Sequence, residues 1–225
     1  CTRFPSFILP ISVTSIGENA FKDCSGLTSV VIPNSVTTIE HCAFQNCSSL
    51  TEVTILNSVT AIGDAAFSGC SSLISVTIPN SVTTIGNDAF RRCSNLTSVA
   101  IPNSVTSIGW RAFEYCLSIT EVYSLNPTPP SVPTSPNAAP DWRPFDYRTY
   151  RRATLYVPEE AVEAYKNAEY WKEFENIKGV AITGMKGIDV DGSGKQKVYY
   201  DINGRRLSAP KKGLNIIDGK KVIVK

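Results

Sequence analysis

The sequence predicts a repeat solenoid, mainly β with short helical or 3₁₀ turns, followed by an α+β cap and a small β tail. Three observations predict it. Phenylalanine recurs every 23 residues at Phe21, Phe44, Phe67, Phe90 and Phe113, and cysteine keeps the same step at Cys24, Cys47, Cys70, Cys93 and Cys116. Aliphatic slots keep step with them, among them Val30, Val53, Val76, Val99 and Val122, and Ile39, Ile62, Ile85 and Ile108. Past Val122 the period stops, and a proline-rich, then aromatic, stretch takes over. A fixed period of this length means units that each form one coil and bury their apolar side only by stacking on the next.

Within a unit, Leu50–Ile55 ends in alternating inward positions, as a strand requires. Pro33, Pro79 and Pro102 end that strand, because proline cannot donate to a ladder. A second extended piece, Val59–Ile62, has apolar ends and polar residues between them. Gly17, Gly63, Gly86 and Gly109 then turn the chain and are expected at positive φ. Ala20, Ala43, Ala66, Ala89 and Ala112 precede the phenylalanines on a short helical or 3₁₀ turn, and the ring fills the core. The solenoid is expected to be right-handed, with about five coils over residues 1–125, entered mid-repeat.

Residues 126–178 read as the C-terminal cap. Seven of the fourteen prolines lie in 126–144, an extended, semi-rigid loop. Thr154–Val157 reads as one more strand. Pro158 opens a helix at its first position, with Glu159 and Glu160 in the first turn. Val162, Tyr165, Trp171 and Phe174 are placed to face the last coil. Residues 179–225 read as the small β tail, with short strands at 197–202, 205–208, 214–217 and 221–224, and hairpin turns at Asn203-Gly204 and Asp218-Gly219.

Composition is that of an ordinary soluble protein, 42% hydrophobic and 19% charged. No run of about 18 apolar residues exists to span a bilayer. The net charge of +2 hides an asymmetry: residues 1–125 carry 5 basic and 8 acidic side chains, and residues 195–225 carry 9 basic and 2 acidic. The basic end suggests an address, an acidic partner or plain solvation rather than a nucleic-acid enzyme.

Cysteines in one repeat slot stack on their equivalents. Neighbouring coils of a parallel stack lie about 4.8 Å apart, whereas a disulfide needs Cβ atoms about 3.8 Å apart. A ladder of free, buried thiols is therefore expected, and no metal. Cys1 lies in the same register.

The unit Leu73-Ile-Ser-Val-Thr-Ile-Pro-Asn-Ser-Val-Thr-Thr-Ile-Gly-Asn-Asp-Ala-Phe90 closely resembles the BspA-like leucine-rich repeats of bacterial surface antigens, over residues 4–125. The segment Thr154–Phe174 resembles the cap that often follows such arrays. The tail from Tyr200 to Lys225 is similar to C-terminal sorting domains of exported Bacteroidetes proteins, though shorter. The resemblance implies a secreted or surface-attached protein, extracellular or held at the outer membrane.

Catalysis fails on inventory. The one histidine, His41, shares its slot with Glu18, Asp64, Asn87 and Trp110, a solvated position rather than the oriented base a triad needs. Cys42 shares its slot with Asn19, Ala65, Asp88 and Arg111, so it is expected to point outward as the one reactive thiol, without a partner. Asp189, Asp191, Ser193 and Gly194 copy part of a calcium loop, but Tyr200 stands where the bidentate acid belongs, and an ordinary turn explains the run as well. No catalytic residue, metal or cofactor is expected.

Binding is the remaining class. Outward strand positions carry Thr28, Thr51, Glu52, Thr77 and Thr97, a flat, short-chained face whose ordering costs little entropy. Strand propensity and solubility alone demand the same composition. Interface anchors are usually Trp, Tyr or Arg, and these gather at Trp110, Arg111, Tyr115 and 142–152. Arg143, Arg148, Arg151 and Arg152 beside five aromatics, Trp142 and Tyr147 among them, make the best anchor cluster, where the same rings would serve to pack the cap on the last coil. The function expected is a non-enzymatic adhesion module recognising a host protein, a glycan or another cell surface. The alternative is a stalk with no ligand of its own. No nucleic acid and no membrane span are expected.

Overall fold

The structure is a computed structural model that describes residues 6–133, 142–180, 199–201, 206–207, 213–217 and 220–224. Each 23-residue unit supplies two short strands. These are β1 (Ser6–Ile8) and β2 (Ser15–Ile16), β3 (Ser29–Ile32) and β4 (Thr38–Ile39), β5 (Glu52–Ile55) and β6 (Ala61–Ile62), β7 (Ser75–Thr77) and β8 (Thr84–Ile85), β9 (Ser98–Ile101) and β10 (Ser107–Ile108), then β11 (Glu121–Ser124). Beyond the array come α1 (Tyr147–Arg152), β12 (Thr154–Pro158), α2 (Val162–Asn167) and β13 (Asn176–Val180). The tail contributes β14 (Tyr199–Asp201), β15 (Arg206–Leu207), β16 (Gly213–Ile217) and β17 (Lys220–Val224), paired antiparallel in the order β15-β14-β16-β17. The two predicted hairpin turns and the calcium-like run lie outside the described residues.

The first strands of the units form a parallel sheet in the order β1-β3-β5-β7-β9-β11, which β12 and β13 extend. The second strands form a parallel sheet, β10-β8-β6-β4-β2. Register follows the period, with Val30 opposite Val53 and Val53 opposite Val76. The repeat solenoid read from the sequence is therefore the architecture.

Between the sheets the rings stack. Phe44, Phe67, Phe90 and Phe113 follow one another at centroid distances of 5.2, 5.3 and 5.3 Å, their planes nearly parallel, with no exposed surface. The amide of each ring residue donates to the next coil, Phe44 to Ala66 O and Phe67 to Ala89 O, both at 2.7 Å. The cysteines do more than fill space. Cys47, Cys70, Cys93 and Cys116 each donate their thiol to the carbonyl of the phenylalanine 26 residues earlier, at 3.1, 3.2, 3.3 and 3.0 Å. A buried carbonyl that would otherwise spend one lone pair on nothing gains a partner.

Four local expectations are corrected. The glycines at 17, 63, 86 and 109 do not sit at positive φ. At 63, 86 and 109 glycine is required because the coils touch: a Cβ on Gly63 would lie 2.7 Å from Ile39 O, and one on Gly86 2.6 Å from the Asp64 nitrogen, whereas one on Gly17 would meet nothing within 4 Å. The left-handed positions are Asn19, Cys42, Ala65, Asp88 and Arg111, and then Asp23, Asn46, Gly69, Arg92 and Tyr115. The Ala-Phe segments between them are accordingly runs of hydrogen-bonded turns, not helical ones. The thiol ladder is incomplete, because Cys24 is disulfide-bonded to a partner outside the described residues. The spacing argument constrains coils pinned on both sides, as at Cys47, Cys70, Cys93 and Cys116, and not the cysteine that ends that stack. Pro158 closes β12 and stands before a 3₁₀ turn, Glu159–Ala161, rather than at the first position of the helix.

The coil path continues where the sequence pattern decays. Ser131 bridges Ser107 in the second sheet, Phe145 bridges Phe113 and stacks on it at 5.1 Å, and Leu155 pairs with Val122. Ser131, Phe145 and Leu155 thus take the places of one more unit's residues. Over it close Tyr165, Trp171 and Phe174, all buried. The Tyr165 hydroxyl donates to Asn126 O at 2.9 Å and meets Ser124 Oγ at 2.7 Å. Trp171 Nε1 donates to Pro130 O.

Candidate functional site

The outer face of the main sheet carries two rows in register. One runs Ser29, Glu52, Ser75, Ser98, Glu121, Thr154, and the other Val31, Thr54, Thr77, Ala100, Tyr123, Tyr156. Glu52 and Thr77 are exposed on it, as read from the sequence. Thr28, Thr51 and Thr97 are exposed at the bend just before their strands. Their hydroxyls are not idle: Thr51 Oγ1 donates to Thr28 O at 3.0 Å, and Thr97 Oγ1 to Ile74 O at 3.5 Å. Beside the second sheet Thr37, Thr60, Thr83 and Thr106 do likewise to the coil before. What these threonines present outward is therefore largely methyl, with Ile74 exposed in the same slot. Toward the cap the face turns aromatic, with Tyr123 stacked on Tyr156 at 4.8 Å. Burial, with the Glu121 carboxylate adding to it, pushes the Tyr123 hydroxyl well above its usual range.

The anchors read at the cap do not form one cluster. Trp142 lies against Trp110 at 4.9 Å and under the Arg111 guanidinium at 5.2 Å. Arg143 pairs with Glu173. Tyr147 and Arg151 go together, lining one open depression with Arg148, Arg152 and Glu175. Two other aromatics of this stretch, Phe145 and Tyr150, are buried in the cap's packing, where they meet edge to face at 5.9 Å. Burial pushes the Tyr150 hydroxyl far up as well.

On the turn ridge, Arg111 and Tyr115 belong to a group whose other members the sequence reading passed over. Arg91 pairs with Glu114 at 2.7 Å, Arg111 pairs with Asp88 at 3.1 Å, and the Arg91 and Arg92 guanidiniums lie over the Tyr115 ring. The period itself signals it: Glu114 and Arg111 follow Arg91 and Asp88 by 23 residues, so adjacent coils bring them level. The same step sets Asn87 to accept from the Trp110 amide and to donate its own to Asp64 Oδ1.

His41 is exposed, as expected, but Cys42 is not. Cys42 keeps 4% of its surface, and its Sγ lies 3.2 Å from His41 Nε2. Burial pushes the thiol up, against the nearby Lys22 and with help from Glu18 and Asp64. An activated thiolate needs the opposite shift, so the outward, reactive thiol read from the sequence is corrected to a covered and inert one. Cys42 and Cys47 have the four-residue separation of some zinc pairs, yet their thiols turn to different partners, His41 and Phe21 O. Among the described residues no three His, Cys, Asp or Glu side chains converge to hold a metal, and no helix is long and apolar enough to cross a membrane.

Comparison with known proteins follows this geometry. The BspA type leucine-rich repeat region matches residues 1–124 in six copies. Among solved structures, a leucine-rich cell surface protein from Faecalibacterium prausnitzii A2-165 is 38% identical, with a TM-score of 0.52, over 54% of this chain and 32% of that one. A leucine-rich repeat protein of T. pallidum is 32% identical, with a TM-score of 0.52, over 53% of this chain and 58% of that one. The pneumococcal vaccine antigen PcpA, 18% identical over 78% of this chain and 40% of its own, shares the fold with a TM-score of 0.54. The chain thus spans about a third of the first of these proteins and under two thirds of the second. Comparison with curated proteins finds no match.

Proposed function

Because this chain belongs to the BspA-type leucine-rich repeat family, we propose that it is a binding module of a secreted or cell-surface protein, recognising a host protein, a glycan or another cell. A similar protein is itself described as a cell surface protein. The observation that carries the reading is the union, on one rigid column, of a face of short outward residues with an exposed Tyr and Arg group in the cap. The face includes Thr28, Thr51, Glu52, Thr77 and Thr97. In the cap, Tyr147 keeps 57% of its surface beside Arg151. Rigid presentation of a small contact set lowers the entropy lost on binding. Trp142 and Arg143 belong to this reading only as the frame beside it, since both already have partners. The cap's rings serve packing first, and the polar groups around Tyr147 are those left for a partner.

The test is a panel of matrix proteins, mucins, glycans and bacterial surfaces probed with the intact chain. Two variants accompany it, Thr77→Glu with Ile74→Glu on the sheet face, and Tyr147→Ala with Arg151→Gln on the cap. Capture of a panel member, weakened by one variant pair and not the other, supports the module and locates its face. Absence of capture across the panel counts against it. The reading as a stalk then gains, and it has an observation of its own: the threonine hydroxyls beside both sheets are turned to neighbouring coils rather than outward.

A further inference from the structure

Tyr147, Arg148, Arg151, Arg152 and Glu175 surround an open depression of about 460 Å³. We propose that this depression binds an anionic glycan, one whose sugar rings carry sulfate or carboxylate groups. The inference rests on the reading of the chain as a surface binding module and assigns a ligand class to its cap.

Charge comes first. Three guanidiniums face one carboxylate. Glu175 engages only Arg151, at 3.3 Å, and both side chains are more than half exposed, at 57% and 70%. An ion pair so exposed is weak and readily exchanged. Among the described residues the ion pairs include neither Arg148 nor Arg152. Arg148 engages only the neutral Tyr147, its Nε donating to the hydroxyl at 3.0 Å, so two guanidiniums without an ion pair and a third held loosely leave a local surplus of positive charge in a concave site.

Geometry comes second. Arg148 stands three residues before Arg151 and four before Arg152, so the helix brings all three to neighbouring positions. The helix itself is fixed. Asp146 caps it by accepting from the Arg148 amide at 2.9 Å, Thr149 and Tyr150 are buried on its other side, and the Glu175 amide donates to Tyr150 O at 2.9 Å. The guanidinium fork matches the paired oxygens of sulfate and carboxylate, and holding the forks on a fixed frame reduces what binding must order.

The chemistry of the remaining lining selects the partner. Tyr147 is more than half exposed, and one of its faces is covered by the Arg148 guanidinium 5.1 Å from the ring centre. It is the lone aromatic of the lining. A protein anchor needs a closed apolar pocket, and a nucleic-acid strand needs successive stacking platforms. One ring among several guanidiniums suits a sugar with its anionic substituents.

The test uses the full chain and heparin oligosaccharides, with desulfated heparin, polyglutamate and single-stranded DNA as comparison ligands. Arg148→Gln, Arg151→Gln and Arg152→Gln are combined in one variant. A lysine version at the same three positions keeps the charge and removes the forks. A third variant, with Lys211, Lys212, Lys220 and Lys221 changed to Gln, addresses the basic tail. Heparin is expected to bind with an affinity that falls as salt rises. The glutamine variant should weaken it at least about tenfold and the lysine variant about threefold, with little change from the tail variant. Loss of binding in the tail variant alone overturns the assignment. So does equal affinity for DNA or polyglutamate, or failure of the parent chain to bind heparin at all. If heparin fails while a matrix protein is still captured, the glycan site falls and the binding module stands.

Discussion

Replacing Phe67 with alanine is the sharpest trial of the stacked column. The ring has no exposed surface and lies between Phe44 at 5.2 Å and Phe90 at 5.3 Å. Phenylalanine to alanine in a core costs about 3–5 kcal/mol, the spread reflecting how far the site collapses. Collapse is restricted here, because Phe67 N is pinned to Ala89 O and Phe44 N to Ala66 O, both at 2.7 Å. The expected cost is therefore near the top of that range, about 4–5 kcal/mol, a large part of the roughly 5–15 kcal/mol that holds a domain together. Phe67→Leu keeps most of the volume and loses the flat faces, for about 1–2 kcal/mol. Urea unfolding followed by circular dichroism measures both through the midpoint and slope. A double-mutant cycle with Phe90→Ala should show coupling of about 1 kcal/mol, since the rings touch. A cost for Phe67→Ala below about 1.5 kcal/mol, or additivity with Phe90→Ala, would refute a continuous ring stack as the core.

Two further predictions follow from the coil contacts. Gly86→Ala should lower stability by about 2–3 kcal/mol, because its Cβ would meet the Asp64 nitrogen at 2.6 Å, whereas Gly17→Ala, with nothing within 4 Å, should be neutral or stabilise by up to about 1 kcal/mol; thermal melts of the pair check this. Burial, with the Cys116 thiol beside it, pushes Cys93 well above its ordinary value, so the folded state favours the protonated thiol. Stability from that group is complete below the unfolded value of about 8.5 and declines as pH rises above it. The urea midpoint should therefore fall between about pH 8.5 and 9.5, less so in Cys93→Ala, and Cys93 should resist alkylation until unfolding; alkylation of Cys93 in the native protein would count against its burial.

The array was legible because a period assigns every residue to a slot. Phe67 and Val53 could be placed inside without knowing a single coordinate. The places of Phe145 and Leu155 on the last coil were not, because the equivalent step widens: Phe145 follows Phe113 by 32 residues and Leu155 follows Val122 by 33. The glycines were recognised as special for the wrong reason, since a tight contact between coils leaves the same mark on a sequence as a left-handed turn. Cys42 misled because its slot also holds Asp88 and Arg111. Larger side chains such as Arg111 keep part of their surface in water from that position, while short ones such as Cys42 and Ala65 stay covered beneath the turn. Of the candidate site, Tyr147, Arg148, Arg151 and Arg152 were recognised in the sequence, and what joins them is a six-residue helix. Trp142 and Arg143 were drawn away by Trp110 and Glu173, partners that spacing in a non-repeating segment does not reveal.

Phe145 on Phe113 and Leu155 beside Val122 mean that the closing segment offers the column the same surface as another unit would. Such an end is indifferent to how many units it terminates. Gain or loss of one unit by recombination would then leave the junction unaltered and shift whatever the cap carries by one strand spacing, about 4.8 Å. The length of the column can then change in whole steps without any change in the segment that closes it.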